Sequence, residues 1–221
     1  PNTTSGTGIQ SPTNTATGTF SVAMGDSTTA SGSSSTAMGS GTQASGVVST
    51  AMGRNTTASG NFSTAMGDFT IASGALSTAM GDSTTASGNA STAMGRDTKA
   101  NEYGSSAMGV QTTASGYYST AMGYATTASG GNSTSMGAGT NASGNTSTAM
   151  GYATKANGWI STSMGKNTTA SDRSSFVMGQ YNLAGSTVTV SATEFSLDNT
   201  AFVIGNGTAS NKSDAFVVKF N

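Results

Sequence analysis

Methionine recurs at one fixed interval along this chain. All 12 methionines are spaced 14 residues apart, each is followed by Gly, each has Ser three residues before it, and each has Ala six residues after it. Four residues after Met the chain has Thr at every repeat except Asn182, and eight residues after Met the Gly is replaced only by Glu102, Asp172 and Ser186. The repeat reads S-T-A-M-G-x-x-T-x-A-S-G-x-x. A strict period of this length predicts a solenoid in which each repeat forms one coil.

The residues of the repeat indicate what each coil contains. Gly, Ser and Thr are poor helix formers, and 14 residues are enough for two short strands and two tight corners. We place strand A at 21–24 and strand B at 28–31, with equivalents in every repeat. Successive coils would stack as parallel strands about 4.8 Å apart, so that some 12 coils form a rod roughly 55 to 60 Å long. The expected fold is therefore all-β, a parallel β-roll (β-solenoid) of 14-residue coils.

The composition indicates how such a chain is held in order. Leu, Ile, Val and Phe together number 25 of 221 residues, whereas Ser and Thr number 76, so a conventional large core is excluded. Disorder is not favoured either, because the net charge is −1 and both prolines lie in the first 12 residues. We therefore expect backbone ladders between coils, rather than a thick core, to stabilise the fold.

Alternation along the strands predicts which residues face inward. On strand B the fixed Thr and Ala columns would face in, and the varied column between them, which includes Gln43 and Ile71, would face water. On strand A both faces are restricted, one to Ser and Ala and the other to Thr and Met. Either the Met column projects outward as a stripe too large for a monomer, or it fills the interior of a monomeric roll. We favour the outward stripe.

On this interpretation the methionines are candidates for the axis of an oligomer. These trimer-axis candidates are Met24, Met38, Met52, Met66, Met80, Met94, Met108, Met122, Met136, Met150, Met164 and Met178.

The repeat breaks at both ends of the chain. We expect residues 1–14 to form a partly disordered lead-in, 15–185 the tandem β-roll, and 186–221 an inserted strand followed by apolar capping or neck-like coils. The alternation at 187–190 predicts the inserted strand. Ile204 and Val218 lie 14 apart in the Met register, and the Thr two residues before Met becomes Phe at Phe176, Phe202 and Phe216.

The segment 21–25, which reads S-V-A-M-G, resembles the head repeats of trimeric autotransporter adhesins, the YadA-like head, whose motif reads roughly S-V-A-I-G followed by a Ser or Thr and by Ala-x-Gly. Met stands in the Ile place, and Ile returns at Ile204. The resemblance covers residues 15–220. It implies a left-handed roll, three chains side by side as a homotrimeric rod, and strand A lining the threefold axis. The ending at 202–207 also resembles β-roll repeats in viral and phage fibre proteins.

Several functions are excluded by composition. The chain has no Cys and no His, so it lacks the ligands of a zinc finger and the base of a His-dependent triad. Eight Lys and Arg against nine Asp and Glu give no basic surplus for nucleic acid. No apolar run approaches the roughly 20 residues that span a bilayer. We expect no enzyme activity, no cofactor and no metal, and membrane contact only through regions outside this sequence.

Aromatic and apolar side chains at the predicted corners are the candidates for ligand contact, because exposed Tyr and Trp often contact protein or sugar partners. Simple covering of the coil edges is the alternative. The candidates are Tyr103, Tyr117, Tyr118, Trp159, Ile160, Phe62, Tyr124 and Tyr152.

Together these features predict a structural and adhesive module, a rigid trimeric head or fibre that attaches to a host-surface protein, matrix or glycan. The resemblance implies an extracellular location on the cell surface, with an outer-membrane anchor elsewhere in the full-length protein, or on a virion. A virion or phage tail-fibre segment that binds a receptor is the alternative. A passive scaffold or an ice-binding surface is a third possibility, although Gln43, Ile71 and Lys99 interrupt the outward Thr column.

Overall fold

Two kinds of strand alternate along the chain, one of five residues and one of two. The computed structural model describes residues 13–221, which form about 12 coils of about 14 residues and contain no helix. The prediction of an all-β, parallel β-solenoid is therefore confirmed. The chain divides into two compact units, unit 1 at residues 1–110 and unit 2 at residues 111–221. We call the five-residue strands A strands and the two-residue strands B strands.

The described part of unit 1 contains seven strands of each kind. In chain order they are β1 (Thr15–Ala16), β2 (Val22–Asp26), β3 (Thr29–Ala30), β4 (Thr36–Ser40), β5 (Gln43–Ala44), β6 (Thr50–Arg54), β7 (Thr57–Ala58), β8 (Thr64–Asp68), β9 (Ile71–Ala72), β10 (Thr78–Asp82), β11 (Thr85–Ala86), β12 (Thr92–Arg96), β13 (Lys99–Ala100) and β14 (Ser106–Val110).

Unit 2 continues the alternation and then departs from it after its last B strand. Its strands are β15 (Thr113–Ala114), β16 (Thr120–Tyr124), β17 (Thr127–Ala128), β18 (Thr134–Ala138), β19 (Asn141–Ala142), β20 (Thr148–Tyr152), β21 (Lys155–Ala156), β22 (Thr162–Lys166), β23 (Thr169–Ala170), β24 (Phe176–Gln180), β25 (Thr200–Asn206) and β26 (Asp214–Lys219).

Equivalent residues of neighbouring coils pair directly. In unit 1, β10 pairs with β12 in parallel, with Met80 beside Met94 and Ala79 beside Ala93. In unit 2, β18 pairs with β20 in the same way. The A strands of each unit form one sheet and its B strands form another. Because neighbouring coils within a unit bond to each other, the fixed 14-residue period keeps each ladder in register.

The space between the two sheets of a coil is filled by very small side chains. In each repeat of unit 1, the Ala before Met and the Ala six residues after it are fully buried, as at Ala37 and Ala44. In unit 2, Ser135 and Ser163 replace the first Ala, and their hydroxyls lie 2.7 and 2.8 Å from those of Thr140 and Thr168. Methionine is not among the buried residues of this interior, and the Met side chains of unit 1 are half-buried or exposed.

Both corners of each coil contain residues with a left-handed backbone. The residues three and ten after Met have positive φ, as at Asn55 (φ 52°) and Val48 (φ 55°), and most of them are not glycine. This conformation is unfavourable for a β-branched residue. A hydrogen bond between coils offsets this unfavourable conformation: the Val48 N–H donates to the Ser33 carbonyl of the preceding coil at 2.8 Å. The corners therefore continue the bonding between coils.

Asparagine replaces Thr in the column four residues after Met at two coils, the first described coil of unit 1 and the last coil of unit 2. Asn14 accepts a hydrogen bond from the Thr28 N–H at 3.1 Å and donates to the Gly25 carbonyl at 2.9 Å. Asn182 accepts from the Thr169 N–H at 2.8 Å and donates to the Thr169 carbonyl at 2.9 Å. Each side chain thus bonds backbone groups of the neighbouring coil at an end of the regular array of coils. Residues 1–12 of the predicted lead-in lie outside the described residues, and the predicted boundaries at 14 and 185 stay predictions.

The end of unit 2 differs from the sequence expectation in two places. The structure has no strand at 187–190, where a side chain rather than a neighbouring strand bonds the backbone: the Asp172 carboxylate accepts from the Thr189 N–H at 2.6 Å. Just after this segment, Asn199 accepts from the Ser191 N–H at 3.0 Å. Ile204 does stack beside Met178. Val218 does not continue that column, because β26 turns back antiparallel to β25 and places Val218 beside Phe202.

Candidate functional site

The outer face of the A strands presents one Thr and one Met per coil. In unit 1 this face comprises the residue two before Met, which is Thr except at Val22 and Ser106, and Met itself. The side chains are half-buried, and Met24 is 45% exposed. Neither column contains a charged residue. In unit 2 the same columns run through β16, β18, β20 and β22 as Thr and Met. We call the two columns the Thr/Met face.

The second group of candidates lies at the corner between a B strand and the next A strand. Phe62, Tyr118 and Ile160 lie in the left-handed column ten residues after Met. Tyr103, Tyr117 and Trp159 lie in the column nine residues after Met. All six are exposed, from 40% for Trp159 to 60% for Tyr117. In unit 2 the pairs 117–118 and 159–160 occupy the same two columns three coils apart, which is about 14 Å at the ladder spacing. Smaller residues separate the two pairs.

Tyr124 and Tyr152 lie elsewhere on the coil. They are the last residues of β16 and β20, two coils apart, with Ala138 between them in the ladder. Both are exposed. The structure therefore places these two tyrosines at the opposite edge of the coil from the pairs at 117–118 and 159–160, and the eight sequence candidates do not form one patch.

The column that contains Tyr124 carries an ion pair in unit 1. The Arg54 Nε donates to Asp68 Oδ1 at 2.8 Å, and a second guanidinium nitrogen contacts the other carboxylate oxygen. The hydrogen bond from Arg54 holds the pKa of Asp68 below its usual value and raises the pKa of Arg54. Arg54 also lies 5.4 Å from the centre of the Phe69 ring. Both charges are on the surface, so this pair stabilises the fold only weakly.

The outer face of the B strands is hydroxyl-rich but irregular. Its varied column faces outward, as predicted: Ile71 is 42% exposed, and Gln43 and Lys99 are exposed as well. The column five residues after Met therefore changes between hydroxyl, amide, aliphatic and charged groups from coil to coil. An ordered array of threonines is absent from this column.

Sequence reasoning missed two aspartates, Asp172 and Asp214, that hold the segment 183–199 on unit 2. The carboxylate of Asp172, which is fully buried, accepts hydrogen bonds from the N–H groups of Thr189 and Thr200 at 2.6 and 2.8 Å. Asp214 accepts from Leu183 and Ala184 at 2.9 and 2.7 Å. The interruption of the Gly column at Asp172 was the available signal. The segment exposes five bulky apolar side chains, which are Leu183, Val188, Val190, Phe195 and Leu197.

The described residues offer little that resembles an enzyme site. Residues 13–221 form no detectable concave pocket and no cluster of three or more Asp and Glu side chains that could hold a metal ion. Among the same residues there is no helix long and apolar enough to cross a membrane. The features that could act chemically are thus exposed surfaces.

Comparison with known proteins gives one positive finding. A family model described as YadA head domain repeat (2 copies) matches residues 16–42, 44–70, 72–98, 100–126, 114–140, 128–154 and 142–158. These matches cover more than half of the chain. No curated protein matches the sequence.

Proposed function

The chain belongs to the family of YadA head domain repeats, and from that premise we propose that it is a homotrimeric adhesive head that attaches to a host-surface protein, matrix or glycan. The repeats indicate an adhesin-like surface module, exposed outside the cell, and YadA-like heads form homotrimers. A structural rather than an enzymatic role follows from the same membership.

The observation that carries the trimer is the uncharged Thr/Met face of the A strands. A fully buried Met side chain contributes roughly 1.5 to 3 kcal/mol relative to an exposed one, and these side chains are already half-buried. About 1 kcal/mol per Met then remains to be gained on association. Summed over the 12 methionines, this is comparable to the estimated cost of association, about 4 to 15 kcal/mol.

The trimer is tested by placing charges on this face. Met94→Lys together with Met108→Lys should lower the oligomer mass in light scattering before it abolishes the β signal in circular dichroism. Thr57→Lys with Thr85→Lys is the matched control, because it adds two lysines to the outer B-strand column that already contains Lys99. The unmodified protein should have the mass of three 21.6 kDa chains. A monomeric unmodified protein would contradict the proposal.

Attachment itself would rest on avidity, since three copies of each exposed corner residue are presented together. Immobilised host cells, matrix coats and glycan arrays should retain the trimer at least about a hundredfold more strongly than the Met94→Lys, Met108→Lys variant. Tyr117→Ser with Tyr118→Ser, and Trp159→Ser alone, should weaken retention without changing oligomer mass. If the intact trimer binds none of these surfaces, the proposed adhesive role is wrong.

Receptor binding as part of a virion or phage tail fibre is the second candidate. The segment at 202–207, F-V-I-G-N-G, favours it through its resemblance to the ending of fibre repeats. The two candidates differ in the surface that is bound. Retention by bacterial cells, with none by host cells, matrix or glycans, would favour the fibre.

A further inference from the structure

The Thr/Met face of unit 2 repeats without distinguishing one coil from the next. Thr134 pairs beside Thr148 and Met136 beside Met150, and the same pairs recur in the neighbouring coils. If a second copy of the chain lay against this face one coil out of place, it would meet the same side chains. A periodic surface therefore favours association but selects no alignment, as in strands whose pattern does not specify register.

The repetition ends in three phenylalanines, Phe176, Phe202 and Phe216, which we call the phenylalanine cluster. Phe176 and Phe202 continue the Thr column of the Thr/Met face, two residues before Met. They pair with each other in the parallel ladder, and their ring centres are 5.6 Å apart. Phe216 of β26 lies opposite Ile204, and its ring centre is 6.1 Å from that of Phe202. Since Ile204 continues the Met column, the three rings lie on the Thr/Met face.

Two of the three rings are exposed in the single chain and Phe202 is half-buried, although the rings contact one another. Phe176 is 37% and Phe216 51% exposed, and the neighbouring Met178 and Val218 are exposed to a similar degree. The end of the face is therefore both more apolar and different in shape from the periodic part. No other coil of unit 2 has Phe in the Thr column.

We propose that the phenylalanine cluster sets the alignment of copies of this chain along the Thr/Met face. The proposal rests on the proposed trimer. A second copy is the occupant that fits, because it presents the same coil spacing, the same uncharged columns and the same cluster. In the aligned state the clusters of all copies meet. If one copy is displaced by one coil, a phenylalanine of that copy lies against Thr162 of another, and part of the cluster is exposed to solvent.

Cross-linking can read the alignment, because the chain contains no Cys. One protein carries Thr134→Cys and an affinity tag, and a second carries Thr148→Cys without the tag. The two are refolded together and oxidised. In-register copies should form disulfides between identical positions, whereas a mixed disulfide between positions 134 and 148 reports a displacement of one coil.

The informative variant replaces Phe176, Phe202 and Phe216 by Thr, which extends the periodic column. We expect the mixed disulfide to rise about tenfold, the change produced by losing an aromatic contact and its burial, while the mass in light scattering stays that of the trimer. The matched control, Tyr117→Thr with Tyr118→Thr and Trp159→Thr, removes three exposed aromatics at the corners and should leave the disulfide pattern unchanged. Phe176→Thr alone is the milder variant if the triple variant loses its β signal.

An unchanged ratio of disulfides in a trimeric phenylalanine variant would overturn the proposal and point to another determinant of register. A trimer that forms no disulfide at either position would also overturn it, because the Thr column would then not face a second copy. A monomeric native protein would instead refute the proposed trimer, and the alignment role with it.

Discussion

At the scale of single residues, Gly130 and Gly131 are neighbours in one corner but have different surroundings. A Cβ added to Gly130 would lie 2.0 Å from the Gly144 carbonyl oxygen of the next coil. A Cβ added to Gly131 would meet nothing closer than the Asn145 side chain at 3.6 Å. At Gly130, close approach of the backbones therefore favours Gly, although Glu102, Asp172 and Ser186 occupy the same column in other coils; the adjacent column at Gly131 is open to other residues.

This difference predicts opposite outcomes for two alanine substitutions. Gly130→Ala should lower the free energy of unfolding by about 3 kcal/mol or more, because the clash is with backbone of the adjacent coil and forces the ladder apart. Gly131→Ala should be neutral or stabilising by up to about 1 kcal/mol, since Ala restricts the unfolded chain. Denaturant unfolding of the two variants measures both. Equal losses would show that flexibility, rather than contact, explains the conserved spacing of glycine within the repeats.

The buried hydroxyls give a second prediction at this scale. Ser135 and Thr140 share a hydrogen bond across the interior of unit 2. The Thr126 hydroxyl occupies the position equivalent to Thr140 and is buried with no partner among the described residues. Ala121 occupies the position equivalent to Ser135. Ala121→Ser should therefore raise the free energy of unfolding by about 1 kcal/mol, and Ser135→Ala should lower it by about the same amount. A loss in both variants would mean that the interior is too tight for the added oxygen.

At the scale of strands, the Arg54 and Asp68 pair links β6 to β8 across the ladder. Because Arg54 lowers the pKa of Asp68, the pair contributes stability above the pKa of an unfolded Asp, about 3.9, and loses it as the pH falls through the lower folded pKa. The contribution is small because both groups are solvated.

Asp68→Asn should therefore make the thermal midpoint of the protein less sensitive to acidification through this range, and 1 M salt should reduce the difference from the unmodified protein. Asp26→Asn is the control, because Asp26 lies in the same column but its carboxylate accepts a described hydrogen bond only from the Ser27 hydroxyl. If Asp68→Asn and the unmodified protein show the same acid dependence at low salt, the ion pair contributes nothing to stability in solution.

The strands themselves were predictable from the sequence, whereas the excursion in unit 2 was not. The 14-residue period and its two alternating faces are enough to place the A and B strands and to turn Ala inward. At 187–190, however, alternation of Thr and Val suggested a strand, and the buried carboxylate of Asp172 instead accepts the N–H groups of Thr189 and Thr200. Asp172 lies 17 residues from Thr189 and 28 from Thr200 in sequence, so the local alternation of residues could not predict these hydrogen bonds.

For the exposed aromatic residues, too, the sequence predicted the columns but not the contacts between distant segments. The period allowed the aromatic columns to be identified, and exposure of Tyr117 and Trp159 followed from their position at a corner. The period could not show that Phe216 returns antiparallel to contact Phe202, because a hairpin reverses the column that repeats build. The ligand-contact role of the aromatics stays a prediction.

At the scale of the whole molecule, stability should depend on the number of coils. In solenoids each repeat contacts its neighbours only, so that repeats can be removed without altering the rest. Deletion of residues 67–80, which joins Met66 to Gly81, removes one coil from unit 1 and leaves every column intact. We expect this variant to keep its β signal and to melt cooperatively at a slightly lower temperature.

Deletion of residues 67–73 is the matched control. It removes half a coil, joins Met66 to Gly74, and brings B-strand residues to positions where A-strand residues belong. This variant should lose several kcal/mol of stability, because the pairing on both sides of the junction is displaced. Comparable melting of the two deletion variants would contradict a fold held together by a 14-residue register.

The left-handed corners have a consequence for how this surface can evolve. Their backbone shape is imposed by hydrogen bonds to the adjacent coil, and residues as different as Val48, Asn55, Phe62 and Asp97 adopt it. Substitution at these positions therefore changes what the surface displays while leaving the columns that build the coils untouched. A lineage carrying such a chain can alter the surface seen by a receptor or an antibody one coil at a time, and duplicate or lose whole coils, without inventing a new fold.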